Sequence, residues 1–113
     1  MLKSIRKKQS IKVIFSNGKV FDTALFRIYY LIDDGKDVRY ALSVSKRLGI
    51  AVKRNRAKRL IKAAIINLFN FPVSMVVRLK KIDFTYYEAA KELDLFQCYL
   101  RNQKLTNSND KNL

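Results

Sequence analysis

Apolar residues recur at helical spacing in three places along the chain, and strand-like stretches lie between them. Ile11, Ile14 and Phe15 stand three and four residues apart and predict a short first helix over Ser10 to Phe15, ended at Ser16-Asn17-Gly18 by a C-terminal cap. Phe21 to Ile32 (FDTALFRIYYLI) is rich in aromatic and branched residues and predicts a strand. Alternation puts Phe26, Ile28, Tyr30 and Ile32 on its core face and Arg27, Tyr29 and Leu31 on the other, where Arg27 and Tyr29 would make a cationic, stackable surface. Asp33-Asp34-Gly35-Lys36 is a hairpin turn signal. Arg39 to Ser45 alternates again, Tyr40, Leu42 and Val44 against Arg39, Ala41, Ser43 and Ser45, and the small residues of the second set leave room for a bound strand or a close helix.

After Gly49 the period changes to helical. Ala57, Leu60, Ile61, Ala64, Ile65 and Leu68 form one apolar stripe, and Pro72 stops the helix, so that its last residues fall at Asn67 to Asn70. Val73 to Lys80 (VSMVVRLK) predicts another strand. Thr85 with Glu88 makes a capping box for a final helix with Tyr86, Ala89, Ala90, Leu93, Phe96 and Leu100 on its apolar face. The coarse order is helix, two or three strands, helix, strand, helix. A compositional break near Arg101 divides a single domain, 1–101, from a polar, Asn-rich tail, 102–113, expected to be disordered.

Charge changes the picture most at the central helix. Ser43 to Lys62 carries eight basic residues in twenty positions (Lys46, Arg47, Lys53, Arg54, Arg56, Lys58, Arg59 and Lys62) and no acidic one. A core cannot hold that many unpaired ions, since each costs several kcal/mol when stripped of water, so this is surface. At about 100° per residue, Asn55, Lys58, Arg59 and Lys62 fall together opposite the apolar stripe, with Arg56 at their margin. Like charges along a helix cost about 0.2–0.5 kcal/mol per close pair. Solvated faces usually mix signs, and this one points instead to a polyanionic partner. Arginine forks grip phosphate bidentately, and the amide of Asn55 between Arg54 and Arg56 both donates and accepts, which suits RNA better than lipid.

The whole chain agrees. Its 113 residues carry 24 Lys+Arg against 9 Asp+Glu, a formal charge of +15, with 49% hydrophobic residues: a folded, strongly basic domain. A single cysteine, Cys98, allows no internal disulfide, and its default is a buried or inert thiol. The charged start MLKSIRKKQS leads into no apolar run of signal or membrane-span length, so a cytoplasmic protein without membrane contact is expected. There is no histidine, the commonest general base and metal ligand. The acidic residues crowd the strand ends and turn (Asp22, Asp33, Asp34, Asp37) or decorate the final helix (Asp83, Glu88, Glu92, Asp94), so no catalytic and no metal-ligating residue is assigned.

The run LSVSKRLGIAVKRNRAKRLIK, with Arg54-Asn55-Arg56 inside it, resembles the signature of the bacterial ribonuclease P protein subunit. Ile11, Phe15, Gly18, Phe26 and Tyr29 match that family's opening, and the order of elements agrees from about Ile5 to Leu100. The chain departs from the pattern at Ile11, commonly aromatic, at Ile50, usually asparagine, and at Lys62-Ala63, where arginine followed by an acidic or amide residue is usual.

The resemblance implies an α+β fold, a two-layer α/β sandwich of order α-β-β-β-α-β-α with a left-handed βαβ crossover through the basic helix, against the general right-handed preference. It implies a catalytic RNA that removes the 5′ leader of precursor tRNA while the protein binds both. Carried over by position, Ile11, Phe15, Tyr29, Asn55, Lys58 and Lys62 face the leader. Lys46, Arg47, Lys53, Arg54, Arg56 and Arg59 face the catalytic RNA. Mg²⁺ would be required by the holoenzyme and bound mainly by RNA, none tightly by the protein. The partners would be ribonuclease P RNA, one protein to each RNA, and precursor tRNA, with no small-molecule substrate. The alternative is a general RNA-binding, ribosomal or RNA-chaperone protein with no role in tRNA cleavage. A membrane-surface protein is disfavoured, since the apolar stripe of the basic helix is needed to cover the sheet.

Overall fold

The computed structural model describes residues 2–4, 8–32 and 38–111, with side chains over 11–32 and 38–103. The expected turn at Asp33 to Lys36 lies outside the described residues. In chain order the elements are β1 (Leu2–Ser4), α1 (Lys8–Asn17), β2 (Lys19–Asp22), β3 (Phe26–Leu31), β4 (Val38–Ser43), one 3-10 turn (Lys46–Leu48), α2 (Ala51–Leu68), β5 (Val73–Leu79) and α3 (Tyr86–Lys111). The strands form one mixed sheet in the order β1-β4-β5-β3-β2. β2 pairs antiparallel with β3 and β3 antiparallel with β5, while β4 lies parallel to both β5 and β1, so α2 is the crossover of a parallel β4-α2-β5 unit.

The two faces of the sheet are covered differently. On one, Phe26, Ile28, Tyr30, Tyr40, Val73, Met75 and Val77 meet Ala57, Ile61, Ala64 and Ile65 of α2 and Ala89, Leu93, Phe96 and Leu100 of α3 in the main core. Burying an isoleucine such as Ile61 or Ile65 contributes about 1.5–3 kcal/mol, which is why the apolar stripe of α2 turns inward and its charges outward. On the other face a smaller cluster of Ile14, Ala41 and Val76, joined by Ile11, Tyr29 and Leu31, seats α1. The alternation expected for Arg39 to Ser45 holds as far as Ser43, where β4 ends and the chain passes to the turn capped by Ser45, and the space left by Ala41 is taken by a helix of the chain itself.

Several expectations are corrected. Phe21 to Ile32 is two strands, because Thr23 to Leu25 turn without glycine or proline. The Thr23 amide donates to the Phe26 carbonyl at 2.8 Å, the Phe26 amide donates to Thr23 Oγ1 at 2.9 Å, and Glu92 of α3 accepts from the Leu25 amide at 3.2 Å. Glu92, expected only to decorate a helix, thus holds a turn. Ile32, expected in the core, lies past the strand end and is 45% exposed, and Leu68, at the last turn of α2, is 43% exposed. β1 was not expected, and α3 carries helical backbone to Lys111. The capping box formed as expected: the Glu88 amide donates to Thr85 Oγ1 at 3.2 Å, and Thr85 donates from its amide and hydroxyl to Glu88 Oε1 at 3.1 Å each.

Candidate nucleic-acid interface

The basic stretch begins before the helix does. Ser45 Oγ accepts from the Arg47 amide at 3.2 Å and its carbonyl from the Leu48 amide at 3.1 Å, a cap that sets Lys46 and Arg47 out in solvent. Gly49 follows, packed so that a Cβ there would lie 2.6 Å from Ile82 Cδ1. Its carbonyl accepts from Arg54 Nε at 3.1 Å. One arginine of the triplet therefore braces the loop that enters its own helix. Ile50, at the N-cap of α2, offers no side-chain acceptor, and the first turn contains no acidic residue. The leading amides and the positive end of the helix dipole thus stand beside Lys53 and Arg54, a setting that favours an anion.

Along α2, Lys53, Asn55, Arg56, Lys58, Arg59 and Lys62 are exposed or, in the case of Arg54, half-buried against the loop. Lys58, Arg59 and Lys62 line an open pocket of about 260 Å³ with Tyr40 and Leu42 of β4. Among the described residues the ion pairs join Asp22 Oδ1 to Arg27 Nε (2.9 Å) and Lys80 Nζ (3.0 Å), and none reaches α2. Arg27, bonded to Asp22 across β2 and β3, is held above its ordinary range by that carboxylate, while Arg27 and then Lys80 hold Asp22 below its own. The expected cationic surface of Arg27 with Tyr29 is thus internally compensated.

The α1 side of the sheet supplies stacking surface. Phe15 is 42% exposed, and its ring meets that of half-buried Tyr29 edge-on, with centroids 4.6 Å apart. Ile11 packs beside them on the small cluster. The strand register adds Ser43 and exposed Arg78 to the same face, opposite one another across β4 and β5. Ser43 stood among the small residues expected on that face, whereas Arg78 was not singled out from sequence, although the alternation Ser74, Val76, Arg78 carried the signal.

The predicted site residues fall into two groups. Ile11, Phe15 and Tyr29 share the α1 face, whereas Lys58, Arg59 and Lys62 gather over Tyr40 and Leu42, whose side chains belong to the opposite face. Asn55 is exposed on the same outward side of α2 as Lys58 and Lys62, though half-buried Arg54 turns back to the loop. Among the described residues no three His, Cys, Asp or Glu side chains group as a metal site, and no helix is long and apolar enough to cross a membrane. Cys98 is exposed rather than buried.

A parallel strand-helix-strand unit with a cationic outer helix, backed by an aromatic pair across the sheet, defines a small RNA-binding α+β protein of the kind that works within a ribonucleoprotein. The family model of ribonuclease P matches residues 2–100, and the chain belongs to that family. The ribonuclease P protein component of a Nitratiruptor species is 33% identical over 81 residues, 71% of this chain and 72% of that protein. That of Bacillus cereus is 34% identical over 95 residues, 79% of this chain and 83% of that protein. Among solved structures, the Staphylococcus aureus RNase P protein superposes with a TM-score of 0.74 at 23% identity, covering 87% of this chain and 94% of its own. The Thermotoga maritima RNase P protein gives 0.74 at 17% identity, covering 83% and 94%; at such identities the structures establish a shared fold. The chain's role is thus that of the protein component of a tRNA-processing endoribonuclease, a ribonucleoprotein with an RNA partner.

Proposed function

We propose that this chain is the accessory subunit of ribonuclease P, holding the catalytic RNA and the 5′ leader of precursor tRNA while the RNA cleaves the leader. The observation that carries this reading is the two-sided arrangement: cations on α2 that form no ion pair among the described residues, and a partly exposed aromatic pair across the sheet. Lys46, Arg47, Lys53, Arg54, Arg56 and Arg59 bind the catalytic RNA through its phosphates. Ile11, Phe15 and Tyr29 receive the leader, whose bases stack without strict sequence choice at about 1–3 kcal/mol each. A catalytic role for the protein is disfavoured by the absence of histidine and by the occupation of its best-placed carboxylates, Asp22 by two cations, Glu88 by a helix cap and Glu92 by a turn. Mg²⁺ serves the holoenzyme from sites on the RNA, one protein joins each RNA, and the complex acts in the cytoplasm.

The test is cleavage of a precursor tRNA by a bacterial ribonuclease P RNA at low Mg²⁺, with and without this protein. Strong stimulation by a protein that is inactive alone is expected. Tight RNA binding without stimulation would instead support a general RNA-binding role.

A further inference from the structure

The pocket over β4 combines features that a solvated basic face does not need. Tyr40 is only 6% exposed, but no buried side-chain oxygen among the described residues lacks a partner, so its unbonded hydroxyl opens to solvent; the residue lines the pocket with three cations that form no ion pair among the described residues. Burial raises the Tyr40 hydroxyl above its ordinary titration range, so it remains a donor at any physiological pH. A hydroxyl open to the pocket, set among two ammonium groups and a guanidinium, is placed to donate to an acceptor that carries negative charge. Leu42 gives the same pocket an apolar wall, and about 260 Å³ is far more than one water requires, about 30 Å³. That mixture suits a phosphate with its sugar attached better than a bare ion.

Its place in the fold adds a second argument. Tyr40 and Leu42 point to the face covered by α2 and α3, while Ala41 between them points to α1 and Tyr29. A strand stacked on the aromatic pair is separated from the pocket by the sheet itself. Lys58 and Lys62 share the pocket with Arg59, the residue that the resemblance assigns to the catalytic RNA.

We infer that the Tyr40 pocket seats a backbone phosphate of the catalytic RNA, and that Lys58 and Lys62 act with Arg59 on that strand rather than on the leader. This rests on the two-sided reading above. The experiment compares wild-type protein with Tyr40→Phe, Lys62→Ala and Phe15→Ala. Two quantities are read for each: affinity for ribonuclease P RNA across a salt series, and the ratio of holoenzyme affinities for precursor tRNA with and without its leader.

Tyr40→Phe keeps the buried ring and should weaken binding of the large RNA about tenfold, as expected for a hydrogen bond to a charged group. Lys62→Ala should lower the slope of log affinity against log salt by about 0.7–0.9. Both should leave the leader ratio unchanged, and Phe15→Ala should lower that ratio while leaving affinity for the large RNA intact. Unchanged large-RNA affinity in Tyr40→Phe, with a wild-type melting temperature, would overturn the proposal alone. So would a fall in the leader ratio in Lys62→Ala. An unchanged ratio in Phe15→Ala would count against the leader assignment of the aromatic pair, and wild-type protein that fails to bind the large RNA would remove both readings.

Discussion

Glycine at position 18 is demanded by contact. Its amide closes α1 on the Ile14 carbonyl at 2.8 Å, and a Cβ there would collide with that oxygen and lie 2.8 Å from the Tyr30 carbonyl. Both neighbours are backbone, held by a helix and by a strand, so neither yields cheaply. Gly18→Ala should lower stability by about 1–3 kcal/mol in urea denaturation, as overpacking does. Asp22 offers a prediction in pH. Its carboxyl is held below the ordinary 3.8 chiefly by Arg27 and then by Lys80. The stabilisation is therefore complete above 3.8 and is lost as pH falls through the lowered value. Asp22→Asn should flatten the acid limb of a melting-temperature profile below about pH 4, modestly, since the site is open to solvent.

Among the elements, the crossover β4-α2-β5 depends most on a side chain from outside it. Gln97 of α3 is 4% exposed, and its Oε1 accepts from the amides of Asn70 at 2.6 Å and Phe71 at 3.1 Å while its Nε2 donates to the Leu68 carbonyl at 3.2 Å. It ties off the end of α2 and directs the chain into β5. Gln97→Met should cost about 2–4 kcal/mol, since it strands polar backbone groups, each worth about 1–3 kcal/mol when unsatisfied. Hydrogen exchange at Asn70 and Phe71 should quicken beyond the global change in stability. The β2-β3 hairpin is tied down from outside in the same way. Phe21 packs on Phe96 and Tyr99 of α3 with centroids 5.2 and 4.8 Å away, and Glu92 holds the turn beside them.

For the whole molecule the governing quantity is a charge of +15 whose densest stretch meets no internal counter-charge among the described residues. Binding should then follow counterion release. If about five phosphates of a single strand are neutralised, log affinity should fall against log salt with a slope of about −3.5, at about −0.7 per contact. Titration of ribonuclease P RNA from low to physiological salt measures it. A slope near zero would leave the cationic face of α2 without the role assigned to it.

The sequence by itself determined whatever depends on neighbours a few residues away. The apolar stripe of α2, the alternation of Tyr40 and Leu42 against Ala41, the Thr85–Glu88 cap and the basic run with its Arg-Asn-Arg centre were all legible as local periods or motifs. What required tertiary structure depends on partners far along the chain. The turn at Thr23 to Leu25 has no turn residue to announce it and is held by a carboxylate 67 to 69 positions away. β1 is three residues long, too short to show a period, and is defined by its pairing with β4. The separation of Phe15 and Tyr29 from Lys58, Arg59 and Lys62 is likewise invisible in spacing. A period tells which side chains share one face of an element, but only packing decides which face of the sheet each element covers.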